Sequence, residues 1–141
     1  MRIAGRDYLL KILNRDYADS VLVTRKKYFC SGEPQELGRN STLFFAMREV
    51  QSKDYNLVGE AKPAYVGPLS VRDRDEFNFV EEHNWRFVIE LTDIRKYTTP
   101  ISAAFVFPIE VIGKLHTQRP FGIELTPQQG RSARETISRI V

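Results

Sequence analysis

Arg25-Lys26-Lys27-Tyr28-Phe29 sets three cations directly against two aromatic rings. Cations of this kind hold phosphates, and a flat ring gives a base a face to stack on. Further aromatics follow at Phe44-Phe45, Tyr55, Tyr65 and Trp85-Arg86-Phe87. Phe44, Phe45 and Phe87 lie in apolar runs and belong to the expected core. Tyr28, Tyr55 and Tyr65 occupy loop or strand-end positions, where a ring is expected to stay accessible. Trp85 reads either as core or as a pocket wall. Glu60, next to Gly59, reads either as an inward acceptor for a base edge or as a solvent-facing alternate residue.

Other chemistries lack their residues. His83 and His116 are the only histidines, and neither has the H-E-x-x-H or paired spacing that metal ligation uses. Cys30 is the single cysteine, so no internal disulfide forms and no structural zinc site is supplied by cysteine alone. The chain has no phosphate loop, no G-x-G-x-x-G and no G-x-S-x-G elbow. Neither a metal nor a cofactor is expected.

The elements that must position these residues fit one domain spanning 1–141, a length that buries about two-thirds of the unfolded surface. Hydrophobic residues at 42% and charged residues at 28% are those of an ordinary packed fold. No run approaches the roughly 18 apolar residues of a membrane span. With no apolar leader and a lone cysteine, the expected location is the cytoplasm. Lys and Arg outnumber Asp and Glu by 21 to 18, giving a net charge of +3, and the distribution is polar: Arg131, Arg134 and Arg139 face only Glu135 near the end, while Asp73, Asp75, Glu76, Glu81 and Glu82 gather elsewhere. Such a surface suits a one-sided anion binder, or simply solvated faces.

Tyr8 to Leu13 reads as a first strand, and Asn14 as the N-cap of a short helix with Tyr17, Val21 and Leu22 inward. Thr42 to Val50 carries Leu43, Phe45 and Met47 on one face and Phe44 and Ala46 on the other, as in a central strand buried on both sides. It pairs with Leu57-Val58-Gly59-Glu60-Ala61 as a hairpin, with Gly59 marking a bulge or close approach and Pro63, Gly67 and Pro68 ending the strand. An acidic helix is expected from Ser70 to about Glu82. Trp85 to Leu91 alternates as a strand, and Thr98-Thr99-Pro100 breaks it. Ala104 to Val111 reads as strand or buried helix. Thr126-Pro127 opens a closing helix with Ala133, Ile137, Ile140 and Val141 inward.

In this order the chain resembles the PUA-like superfamily, which includes the EVE, ASCH and YTH groups, and in pattern it is nearest to small stand-alone archaeal members. The resemblance is carried by Asn40-Ser41-Thr42-Leu43-Phe44-Phe45-Ala46, by Leu57-Val58-Gly59-Glu60-Ala61, by Trp85-Arg86-Phe87-Val88-Ile89-Glu90-Leu91, by Ile94, Tyr97 and Pro100-Ile101, and by the helix after Leu125-Thr126-Pro127. It implies an α+β fold, an incomplete β-barrel of mostly antiparallel strands with short flanking helices. It also implies binding of RNA or DNA, including a modified base held in an aromatic pocket.

The residues expected at such a site are Arg25, Lys26 and Lys27 on phosphates, Tyr28, Tyr65 and Trp85 as walls, and Glu60 as the polar reader. The ASCH branch supplies an alternative. Tyr17-Ala18 and Ser20 to Lys27 resemble its helix leading to G-x-K-x-x-E-x-R, which implies hydrolysis of RNA or a modified nucleoside by Lys26, Thr24 and Glu60. Thr24 stands where that pattern has Gly, and the Glu and final Arg are missing. A protein-interaction module is the third reading.

Overall fold

The computed structural model describes residues 6–12, 14–32, 37–48, 54–70, 85–117 and 122–140. Among these residues, six strands form one sheet: β1 (Tyr8–Ile12), β2 (Lys27–Cys30), β3 (Leu43–Arg48), β4 (Tyr55–Pro68), β5 (Phe87–Ser102) and β6 (Ile123–Glu124). They lie in the order β2-β5-β4-β3-β1-β6. Only β1 and β3 run parallel; the other pairs are antiparallel. Among the described residues, four short helices flank the sheet: α1 (Arg15–Asp19), α2 (Ala103–Val106), α3 (Ile109–Leu115) and α4 (Pro127–Ile140). A π-helical turn, Ser20–Thr24, continues α1.

β3 is the central strand that its apolar run requires. Leu43, Phe45 and Met47 enter the inner core with Leu10, Val21, Leu22 and Phe29. Phe44 and Ala46 enter the outer core with Leu57, Phe107, Leu115 and Ile137, under the C-terminal helices. The sheet curls so far that Tyr28 on β2 donates its hydroxyl to the Lys11 carbonyl on β1, at 2.9 Å. Strands β5, β4 and β3 lie between them in the ladder, so this bond draws the open sides of a half-barrel together.

Local signals explain the helices. The Asn14 side chain accepts the Tyr17 N–H at 2.9 Å and starts α1. Thr126 and Gln129 form a reciprocal capping box, with the Gln129 N–H to Thr126 Oγ1 at 3.1 Å and the Thr126 N–H to Gln129 Oε1 at 3.0 Å. Ala133 and Ile137 face inward as expected, but Ile140 is half exposed; Val141 lies outside the described residues. Arg134 on α4 pairs with Asp7, whose other oxygen accepts the Thr42 N–H at 2.8 Å, tying α4 to the start of β3.

Two expected breaks are absent. β4 continues through Pro63 and Gly67 to Pro68. β3 makes its last pair at Ala61, so Pro63 lies where β4 has one neighbour and a missing N–H is tolerated. β5 likewise runs through Thr98-Thr99-Pro100 to Ser102. Between the pairs Gly59↔Lys96 and Leu57↔Ile101, β5 carries more residues than β4, and Pro100 sits in that excursion. The segment Ala104 to Val111 is helical, divided at Pro108 into α2 and α3. Strands β2 and β6 have no counterpart in the sequence reading. The acidic helix expected from Ser70 to Glu82 lies almost wholly outside the described residues.

Candidate functional site

Residues directly opposite in a ladder present their side chains to the same face. Lys27 on β2 opposes Glu90 on β5, and Glu90 opposes Tyr65 on β4. These three therefore form one row across the sheet, on the side away from Tyr28 and Ile89. The neighbouring row on that side is Phe29, Val88 and Gly67, with Phe29 and Val88 buried in the inner core. Tyr65 is 52% exposed, and its ring lies along the strand over Gly67, where a Cβ would overlap the hydroxyl end of the ring.

Arg25 and Lys26 adjoin this face and are exposed. The π-helical turn places them: the Ser20 carbonyl accepts the N–H of Arg25 at 2.9 Å and of Lys26 at 3.0 Å. Lys26 then adopts φ 59, a left-handed conformation that turns the chain into β2, and its carbonyl accepts the Leu91 N–H at 2.9 Å. π-helical turns and left-handed non-glycine residues both concentrate at functional sites. Thr24 ends the π-helical turn, exposed.

Trp85 is half-buried. Its ring stacks on Phe29 at 5.7 Å and on Tyr17 at 5.1 Å, while the Tyr17 hydroxyl accepts the Phe29 N–H at 2.8 Å. Trp85 is thus both a packing residue and a partly open ring beside the row.

Tyr28 corrects the expectation of an accessible ring. It is 5% exposed, on the opposite face from Lys27, with its ring 5.7 Å from Phe45. Burial, with a smaller contribution from Cys30, pushes its hydroxyl well above the usual tyrosine range. Tyr55 is also less open than expected: it is half-buried, with its hydroxyl on the Leu115 carbonyl at 3.2 Å.

Glu60 faces outward on β4, opposite Arg95 on β5. The Tyr97 hydroxyl donates to Glu60 Oε1 at 2.8 Å. Burial first, and then the hydrogen bond and charge of Glu60, hold the Tyr97 hydroxyl well above its usual range. Lys26 meets β5 at Leu91 and Glu60 meets it at Arg95, a separation of roughly 10 to 13 Å along the strand. Among the described residues, no hydrogen bond or ion pair joins Lys26, Thr24 and Glu60. No group of three or more potential metal ligands occurs among the described residues.

Missed by sequence reasoning were Glu90, which bridges Lys27 and Tyr65, and the outward Lys62 and Arg95. Alternation around Trp85–Leu91 does place Glu90 outward. Its neighbours, however, depend on register shifts in β4 that no local pattern marks.

A curled six-stranded sheet, closed across its gap by Tyr28 and flanked by short helices, defines an α+β incomplete barrel of the PUA-like kind. Among solved structures, a variant of the ASCH protein from Zymomonas mobilis is similar, with a TM-score of 0.60 and 14% identity over 96% of this chain and 97% of that one. So is the N-terminal domain of McrB from Thermococcus gammatolerans, solved bound to m5C DNA, with a TM-score of 0.51 and 12% identity over 96% and 99%. At these identities the likeness is one of fold. No family model matches the chain, and no curated protein matches it. No helix among the described residues is long and apolar enough to cross a membrane.

Proposed function

We propose that this chain, acting as a single domain, is a nucleic-acid-binding module with RNA as its first candidate target. The observation that carries this reading is the outward row of Lys27, Glu90 and half-exposed Tyr65 beside the exposed Arg25 and Lys26. Cations there neutralise phosphates, and an open ring stacks a base at roughly 1–3 kcal/mol. Trp85 and Tyr65 are the proposed walls for one base, and Glu60, farther along β4 beside Tyr97, the acceptor for an amino group on the edge of another. A modified base is the proposed special case. The McrB domain, with the same fold, was solved with m5C DNA, which supports the class of ligand.

Changing Lys26 and Lys27 together to Ala tests the placement. The double variant is expected to fold and to lower the slope of log affinity against log salt by about 0.7 for each single-strand phosphate that it no longer neutralises. An unaltered slope contradicts it. The alternative of hydrolysis through Lys26, Thr24 and Glu60 draws on the likeness to the ASCH protein. Turnover of RNA or a modified nucleoside, abolished by Lys26→Ala in a folded variant, would establish it in place of simple binding.

A further inference from the structure

Glu60, Arg95 and Tyr97 come together beside the register shift between Glu60↔Arg95 and Lys62↔Thr92, where Asp93 takes a left-handed φ of 49. Glu60 lies directly opposite Arg95, and Tyr97 is two residues further along β5, so the three side chains leave the sheet on one side. Phe44 opposes Glu60 from β3 and belongs with Tyr97 to the outer core. Tyr97 is buried, Glu60 half-buried and Arg95 exposed, so the group spans the step from core to solvent. The Tyr97 hydroxyl donates to Glu60 Oε1 at 2.8 Å. Burial first, and then the bond and charge of Glu60, keep that hydroxyl protonated, which fixes the direction of the bond. Among the described residues, Tyr97 is the one hydrogen-bond partner of Glu60, and neither Glu60 nor Arg95 takes part in an ion pair. Oε1 is thus occupied, while Oε2 is an acceptor held in place and unused.

The Cβ atoms of directly opposed residues stand about 4.5–5.5 Å apart, so the ends of Glu60 and Arg95 reach neighbouring atoms of one flat ligand. The carboxylate only accepts hydrogen bonds and the guanidinium only donates them. From this pairing we infer that the site reads a base edge with an exocyclic amino group beside an unprotonated ring nitrogen, as in cytosine or adenine, and that Tyr97 positions Glu60 to do so. Glu60 Oε2 accepts from the amino group, and Arg95 donates to the ring nitrogen. Uracil presents the inverse edge, a carbonyl beside a ring N–H, which sets acceptor against acceptor and donor against donor. The inference rests on the nucleic-acid reading above and adds which bases are preferred and what sets the preference. It requires only that the edge be unpaired, in a single strand or in a base flipped from a duplex. The opposite charges of Glu60 and Arg95 offset each other, so the pair confers selectivity and no net attraction for phosphate.

The test uses the full chain and two fluorescein-labelled RNA strands of equal length at neutral pH, oligocytidine and oligouridine, which match in charge and differ in the base edge. Wild-type protein is expected to favour oligocytidine by roughly 5- to 150-fold, the range for one good two-point base contact. Glu60→Gln lets an N–H2 group face the ligand as readily as an oxygen, and should bring the ratio of the two affinities toward one. Tyr97→Phe keeps the buried ring and removes the hydroxyl that orients Glu60. It should also bring the ratio toward one, with oligouridine affinity and its salt dependence unchanged. A merely structural Tyr97–Glu60 bond would instead lower the melting temperature of Tyr97→Phe and leave the ratio where it was, which overturns the inference. Equal binding of the two strands by wild-type protein, or a preference for oligouridine, overturns it as well, while the nucleic-acid reading stands because binding is retained. If neither strand binds at low salt, both readings fall.

Discussion

The rings of Tyr28 and Tyr65 meet opposite fates because of ladder parity. Tyr28 opposes Ile89 and points into the barrel; Tyr65 opposes Glu90 and points away. Tyr65→Ala should therefore weaken nucleic-acid binding by about 1–3 kcal/mol and Tyr65→Phe far less, because the stacking face is retained. Parallel titrations of the two variants check this. Gly67→Ala pushes only the far end of the Tyr65 ring, so affinity should fall while the melting temperature holds. Inside the barrel, burial pushes the Cys30 thiol up to about 12 and the hydroxyls of Tyr17, Tyr28 and Tyr97 well above their ordinary value of 10. Groups whose protons are held more tightly in the folded state stabilise it fully below their unfolded values. That contribution is lost as pH rises from about 9 through the folded values. Thermal melts should accordingly show stability falling above pH 9, and Cys30 should resist thiol reagents until the protein unfolds.

At the scale of elements, Gly59 is held by its surroundings. A Cβ there would lie 2.9 Å from the Arg95 carbonyl oxygen and 2.9 Å from Leu22 Cδ1, and the carbonyl belongs to a paired strand that cannot retreat. Gly59→Ala should destabilise by about 1–3 kcal/mol, measurable by chemical denaturation. Thr126→Ala, which removes half of the capping box, should cost about 1 kcal/mol. The sequence made these features readable because each is local: a glycine in an apolar strand, Thr-Pro before a helix, Asn14 before an amphipathic turn. Leu43 to Met47 was readable for the same reason, since apolar residues at every position leave neither face to solvent. The lengths of β4 and β5 were not. Pro63 and Pro100 ordinarily end strands, and here bulges and single-sided pairing accommodate them. β2 escaped notice because only four residues form it, and its first is Lys27.

For the whole molecule, curvature decides what becomes a site. The inner core takes up the aromatics Tyr17, Tyr28, Phe29 and Phe45, and the C-terminal helices take up Phe44, Tyr97 and Phe107. Of the rings named from the sequence, Tyr65 is left most open, and the cations Arg25, Lys26 and Lys27 gather beside it. The residue types of that site were legible, but their assembly was not, because the row Lys27, Glu90 and Tyr65 depends on the register of three strands and a bulge between Pro63 and Tyr65. The most direct measurement is titration of the purified chain with fluorescent single- and double-stranded RNA and DNA at two salt concentrations. Binding through this face predicts affinity for nucleic acid whose logarithm falls linearly with the logarithm of salt concentration. Absence of binding to every class at low salt would contradict it and leave a protein or nucleoside-sized ligand as the partner.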